Sequence, residues 1–199
     1  MKRNSLGTLI VSLSLAGSAF GLNIGDKAPS ATVKMKNVDG KEVSIADVTG
    51  KNGTLVIFSC DHCPFVKAWQ DRIAAIGNSG KDKDVGVIVI NSNDPAEYPE
   101  DSYPEMQKRA QKLGFTFPYV VDATSDVARA FGATRTPEAF LFDKDGKLVY
   151  HGAIDDSQNA ENVKAHFLQD AIDASTAGLP VANKETKFVG CGIKFRAKT

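Results

Sequence analysis

Apolar positions along the chain fall into short runs, and their spacing changes from strand-like to helical and back. Ala31 to Val38 and Lys41 to Ile45 flank Asp39-Gly40, a two-residue hairpin signal. Thr54 to Phe58 is a short apolar run that ends directly before a cysteine pair. Val85 to Ile90 has the β-branched composition of a buried strand. Phe117 to Val121 and Glu138 to Phe142 continue the set, and Leu148 to Tyr150 is predicted to pair back on the latter through Asp143-Lys144-Asp145-Gly146. Between these runs the period becomes helical. Val66, Trp69, Ile73 and Ile76 predict a helix after the cysteines. Ser102 and Glu105 read as a capping box for a helix carrying Met106, Ala110 and Leu113 and closed by Gly114. Val163, Phe167, Leu168, Ala171 and Ile172 predict a longer helix ending near Gly178, and the tail 179–199 has no strong period.

A βαβ pattern followed by a hairpin and a last helix implies an α/β fold, with a mixed central sheet flanked by helices. To it are added an N-terminal β-hairpin and an inserted segment, Asn91 to Gly114, between strands. Residues 22–199 form one domain in this reading. Ahead of it, Lys2 and Arg3 precede a small-residue apolar run, Leu6 to Ala16, and Ala19-Phe20-Gly21 fits a cleavage site. Residues 1–21 therefore read as a signal peptide, too short in its apolar part to span a bilayer comfortably. The mature protein is expected in the periplasm or secreted, with no membrane span after cleavage. Lysine plus arginine and aspartate plus glutamate both number 24, with no basic tract, which argues against nucleic acid as a partner.

The three cysteines, Cys60, Cys63 and Cys191, change the picture most. A small exported domain stapled by disulfides carries more of them, in even number. A Cys60–Cys63 bond closes so short a loop that it constrains the unfolded chain little. Redox or metal chemistry accounts for the pair better. Pro64 sets a helix start just beyond it. Cys60 is expected at that helix N-terminus, nearer solvent and with a lowered pKa, because free N–H groups and His62 favour a thiolate while Asp61 opposes it. Cys63, shielded one turn on, is expected to resolve the mixed disulfide. Cys191, between Gly190 and Gly192, is either a buried free thiol or a third redox cysteine.

At this point the chain resembles the thioredoxin fold: a strand runs into CxxC, and Thr136-Pro137 stands before the strand AFLFD. The resemblance implies that Thr136-Pro137 is the superfamily's cis-proline loop, facing the disulfide and offering backbone groups to a substrate chain. The opening LNIGDKAP, with CDHCPFVK, NDPAEYPEDS, TPEAFLFD and GCGIKF in order, is similar to exported, thioredoxin-like or peroxiredoxin-like redoxins with a CxxCP site. The site residues so implied are Cys60, Cys63 and Pro137, with His62, Thr136 and Cys191 tuning or resolving. The implied activity is thiol–disulfide exchange with a protein disulfide or dithiol, served by an unidentified thiol electron donor and needing no cofactor or metal. Two features depart from thioredoxin itself. Leu55, Val56 and Ile57 leave no acid on the strand below the cysteines, and Ser59 stands where a tryptophan is common.

Other chemistry remains open at this stage. Cys63-Pro64 fits a peroxidatic position, with Arg135 to polarise a peroxide. Zinc or copper would need Cys191 or scattered histidines to complete a site. Glu138, Glu97, Glu100 and Asp101 are candidate proton acceptors that otherwise read as solvated carboxylates. His151 and His166 read as surface residues, and Trp69 as core. The run from Tyr98 to Pro104 is a loop suited to the rim of a partner site.

Overall fold

The computed structural model describes residues 21–198, so the predicted signal peptide, Gly21 apart, lies outside the described residues. The strands are β1 (Met35–Asn37), β2 (Glu42–Val43), β3 (Gly53–Phe58), β4 (Val85–Asn91), β5 (Tyr119–Val121), β6 (Arg135–Thr136), β7 (Glu138–Phe142), β8 (Leu148–Gly152) and β9 (Cys191–Gly192). The helices are α1 (Pro64–Ser79), α2 (Tyr103–Leu113), α3 (Asp126–Phe131) and α4 (Phe167–Thr176). A seven-stranded sheet has the order β2-β1-β5-β4-β3-β7-β8, and β6 and β9 form a separate pair. β3 runs parallel to β4 and antiparallel to β7, which makes the sheet mixed as expected. The predicted hairpin forms through β1 and β2, and joins the sheet by β1 pairing with β5.

The unbroken apolar run of β3 follows from burial on both sides. Leu55 and Ile57 enter one core cluster with Trp69 and Ile73 of α1, Met106 of α2 and Leu168 and Ile172 of α4. Val56 and Phe58 enter the other, with Phe131 of α3 and Phe140 and Phe142 of β7. All four β3 side chains have no exposed surface, and each contributes about 1.5–3 kcal/mol by leaving water. The cysteine loop therefore starts from a rigid strand end.

Two local readings need correction. Val163 lies outside α4, which begins at Phe167 and ends at Thr176. Ser102 occupies the N-cap position of α2, but its side chain makes no cap bond; its carbonyl accepts from the Glu105 and Met106 amides instead. Gly114, at φ 63°, closes that helix as expected. The tail, without a period in the sequence, is held in place by the sheet: residues 184–186 run along β8, where the His151 amide donates to Lys184 O (2.9 Å) and the Thr186 amide to His151 O (3.1 Å). Thr186 comes so near Gly152 that a Cβ there would meet its Oγ1 at 2.1 Å. Beyond this the tail returns to pair as β9. Among the described residues no helix is long and apolar enough to cross a membrane.

Candidate active site

β3 ends at Phe58, and the Ser59 amide still donates to Ile90 O of β4 (2.9 Å). Cys60, Asp61 and His62 then bridge to α1, whose N-cap is Cys63 and whose first residue is Pro64. Proline suits that position because its missing N–H would have no helical partner. This corrects the expected layout: Cys60 is not in the helix, and Cys63 takes the helix N-terminus. Both thiols are free, with 0% exposure, so Cys60 is not the nearer to solvent. Thr136-Pro137 is a cis peptide, and it lies against the pair as the resemblance implied. Cys60 Sγ is 3.1 Å from Thr136 Oγ1, and Cys63 Sγ lies 3.4 Å from Thr136 O.

The surroundings of the two sulfurs differ. Cys63 is pulled below the ordinary thiol range by the Cys60 thiol donating to it, then by the Cys191 thiol and by the backbone N–H groups of Val66 and Cys191, against the cost of burial. Cys60 is pushed up by its bond to Cys63, by burial and by the charge of Asp101. Charge is thus favoured on Cys63, opposite to the expectation for Cys60. Cys191 is half-buried and packs against the pair; burial and donation to Cys63 push its pKa up.

The segment between β4 and β5 supplies the polar shell. Asp101 Oδ1 accepts from the Asp61 amide (2.5 Å) and the His62 amide (3.1 Å). Its Oδ2 lies 2.6 Å from His62 Nδ1 and accepts from Asn93 Nδ2 at 2.7 Å. Tyr98 stacks on the His62 ring with centroids 3.9 Å apart. Asp61 pairs with Arg109 Nε of α2 (2.7 Å) and accepts from the Tyr119 hydroxyl (2.8 Å), while Arg109 Nη2 donates to Asp61 O at 2.7 Å. Burial nevertheless raises the Asp61 pKa to about 6, with Arg109 opposing. Its Oδ2 is buried with no partner, as suits a carboxyl that takes up a proton easily.

Asp101 and Glu138 are therefore buried rather than solvated, while Glu97 and Glu100 are exposed. Glu138 Oε2 accepts from the Thr134 and Arg135 amides (2.9 and 3.0 Å), and its Oε1 lies 2.7 Å from His151 Nε2. His151 also stacks on Phe140, so it braces the loop before Pro137 and is not an ordinary surface residue. His166 is exposed, as read. Trp69 is core, with Nε1 donating to Asp155 (2.7 Å), though its edge lines a cavity of about 160 Å³ beside Pro137, Phe188 and Val189. Arg135 bonds Gly190 O (2.9 Å) at the rim. Donor atoms of Cys60, His62 and Asp101 lie within 4.8 Å of one another. Both Asp101 oxygens already hold two close polar contacts each, which makes the trio a hydrogen-bonded cradle first. Nothing in the sequence marked Arg109, Tyr119 or Asn93 as partners of the cysteine loop, although Asn93 opens the NDPAEYPEDS motif and Tyr119 lies in a predicted strand; only the fold brings them together.

Buried paired thiols at a strand end, faced by a cis-proline loop, define a thioredoxin-fold redox protein. The redoxin family model matches residues 23–166, and the chain belongs to that family. The thiol-disulfide oxidoreductase ResA of Geobacillus thermodenitrificans is 26% identical over 146 residues, covering 72% of this chain and 76% of that one. ResA of Bacillus anthracis is 24% identical, covering 75% and 88%. Among solved structures, an uncharacterized conserved protein from Geobacillus kaustophilus is 40% identical with a TM-score of 0.82, covering 89% of this chain and 94% of its own. A secreted Mycobacterium tuberculosis disulfide oxidoreductase, at 15% identity and TM-score 0.54 over 75% and 98%, shares the fold.

Proposed function

We propose that this redoxin is an exported thiol–disulfide oxidoreductase whose Cys60 and Cys63 cycle between dithiol and disulfide. The observation that carries the reading is a pair of free, fully buried thiols at the end of β3, held against the Thr136-Pro137 cis peptide. In the reducing direction the Cys63 thiolate attacks a partner's S–S bond, forming a mixed disulfide and releasing one partner thiolate. Cys60 then gives up its proton and attacks Cys63 Sγ, forming Cys60–Cys63 and releasing the second partner thiol. Two electrons pass to the partner; the reverse sequence oxidises a partner dithiol. The chain before Pro137 is the edge against which a partner strand would align, and in this structure β9 pairs with it. The export half of the reading rests on Lys2-Arg3 and the apolar run after them, and N-terminal sequencing of the secreted protein checks cleavage near Leu22.

The deciding test is the equilibrium of the mature protein with glutathione. A reversible two-electron couple is expected, absent in Cys63→Ser and in Cys60→Ser combined with Cys191→Ser. A second reading is supported by Cys63 at the N-cap with charge favoured on it: a thiol peroxidase, in which Cys63 attacks a peroxide oxygen, releasing one water and becoming a sulfenic acid, and Cys60 then attacks that sulfur, releasing a second water as the disulfide closes. Peroxide consumed through Cys63 with no reversible couple would replace the first reading by this one.

A further inference from the structure

The tail that carries Cys191 occupies the edge to which a partner strand would add. β9 pairs antiparallel with β6, placing Cys191 opposite Thr136 and Gly192 opposite Arg135. The Ile193 amide donates to Thr134 O (3.0 Å), and Arg135 holds Gly190 O (2.9 Å). On the other side the Lys194 amide donates to Asn93 Oδ1 (2.8 Å) and the Asp94 amide to Lys194 O (2.7 Å). Gly190 is required for this approach, because a Cβ there would lie 2.3 Å from Thr136 O. The tail is therefore stitched between the loop before Pro137 and the segment after β4. It brings a half-buried thiol against the cluster of Cys60, Cys63 and Val66, with Cys191 standing opposite Thr136, the residue that both buried sulfurs touch.

We propose that Cys191 is a third redox thiol, the relay through which a partner exchanges electrons with the buried pair. This rests on the reading of Cys60 and Cys63 as a redox couple. Starting from the Cys60–Cys63 disulfide, Cys191 loses its proton and its sulfur attacks Cys63 Sγ. The Cys60–Cys63 bond breaks, Cys60 leaves with the electron pair and takes up a proton, and Cys63–Cys191 forms with no net oxidation. A partner thiolate then attacks Cys191, the sulfur with access to solvent, and Cys63 leaves as the stabilised thiolate. A second partner thiol completes the reduction by attacking its own sulfur in that mixed disulfide, releasing Cys191 and carrying away the partner disulfide. Without the relay, a partner must first lift β9 from β6 to reach sulfurs that have no exposed surface. The partner so recognised is a dithiol, small or protein-borne, that need only meet the half-buried edge of the tail.

The test uses the full mature chain. Oxidation of Cys60→Ser with one equivalent of diamide, acid quenching and peptide mass mapping is expected to give Cys63–Cys191, whereas Cys63→Ser gives little Cys60–Cys191. Reduction of the oxidised protein by dithiothreitol is expected to slow about tenfold or more in Cys191→Ser, because an intramolecular thiol at high effective concentration is lost. Gly190→Ala in the Cys191→Ser background is expected to restore speed by lifting the tail. No Cys63–Cys191 bond in Cys60→Ser, or an unchanged rate in Cys191→Ser that still forms Cys60–Cys63, would leave Cys191 a bystander and overturn the relay alone. Failure of Cys191→Ser to form Cys60–Cys63 at all would overturn the redox couple beneath it as well.

Discussion

Cys60 and Cys63 stand three residues apart in opposite surroundings. The Cys60 side is built by side chains bonded to one another: the buried Asp101 and Asp61, with the half-buried His62 and Arg109. The Cys63 side is built by backbone donors and thiols, from the start of α1 and from the tail. A charge near Cys60 meets a carboxylate, and a charge near Cys63 meets N–H groups. The lesson is that the segment between β4 and β5 fixes where the proton stays, while the tail fixes where the charge goes.

The comparison can be broken first at its stiffest member. Arg109→Ala leaves Asp61 buried without its cation, which is expected to cost about 3–5 kcal/mol in urea unfolding. The exposed arginine of the tail side makes the contrast: Arg135→Ala is expected to cost under about 1 kcal/mol. Equal losses would mean that the two sides are not built differently. Asp101→Asn keeps the shape but turns an acceptor into a donor facing Asn93 and the loop amides, at a cost of roughly 2–3 kcal/mol. It also removes the charge that raises Cys60, so the pH at which iodoacetamide begins to label Cys60 in a Cys63→Ser background should fall.

A smaller effect is read in pH. Burial holds Asp61 in the folded protein at about 6, above its ordinary value of 3.8. The folded state then binds the extra proton, so this group's contribution to stability is present below about pH 4 and is lost as pH rises towards 6, by roughly 1–3 kcal/mol. Asp61→Asn should flatten that part of a stability profile measured by thermal melting. A profile unchanged by the substitution would remove Asp61 from the buried network. Least of all, Tyr98→Ala removes the ring stacked on His62, worth about 0.5–1 kcal/mol, and should shift the midpoint of the glutathione equilibrium less than Asp101→Asn does.

What the sequence disclosed follows the length and burial of each element. β3, β4 and β7 were legible because strands buried on both faces must be apolar throughout. α1 was legible because Val66, Trp69 and Ile73 repeat along one side. α3, with six residues, and β6 and β9, with two each, are too short to carry a period. The cysteines and Thr136-Pro137 were visible as motifs, yet the helix start was read one turn early, since Pro64 fits anywhere in a first turn and only the fold makes it the first residue. Asp101, Glu138 and His151 passed for surface residues because nothing local marks a buried polar side chain. Their partners come from segments distant in the chain, and only the sheet order brings Asp101 to the amides of Asp61 and His62.

The passage of residues 184–186 along β8 has a consequence beyond redox chemistry. β8 is the outer strand of the sheet, and an outer strand with free N–H and C=O groups templates pairing with another molecule. His151 spends its amide and carbonyl on Lys184 and Thr186, and the opposite margin, β2, is only two residues long. The segment that brings Cys191 home thus also insulates the molecule against edge-to-edge aggregation. Loosening it along its length would expose reactive sulfur and an adhesive margin together.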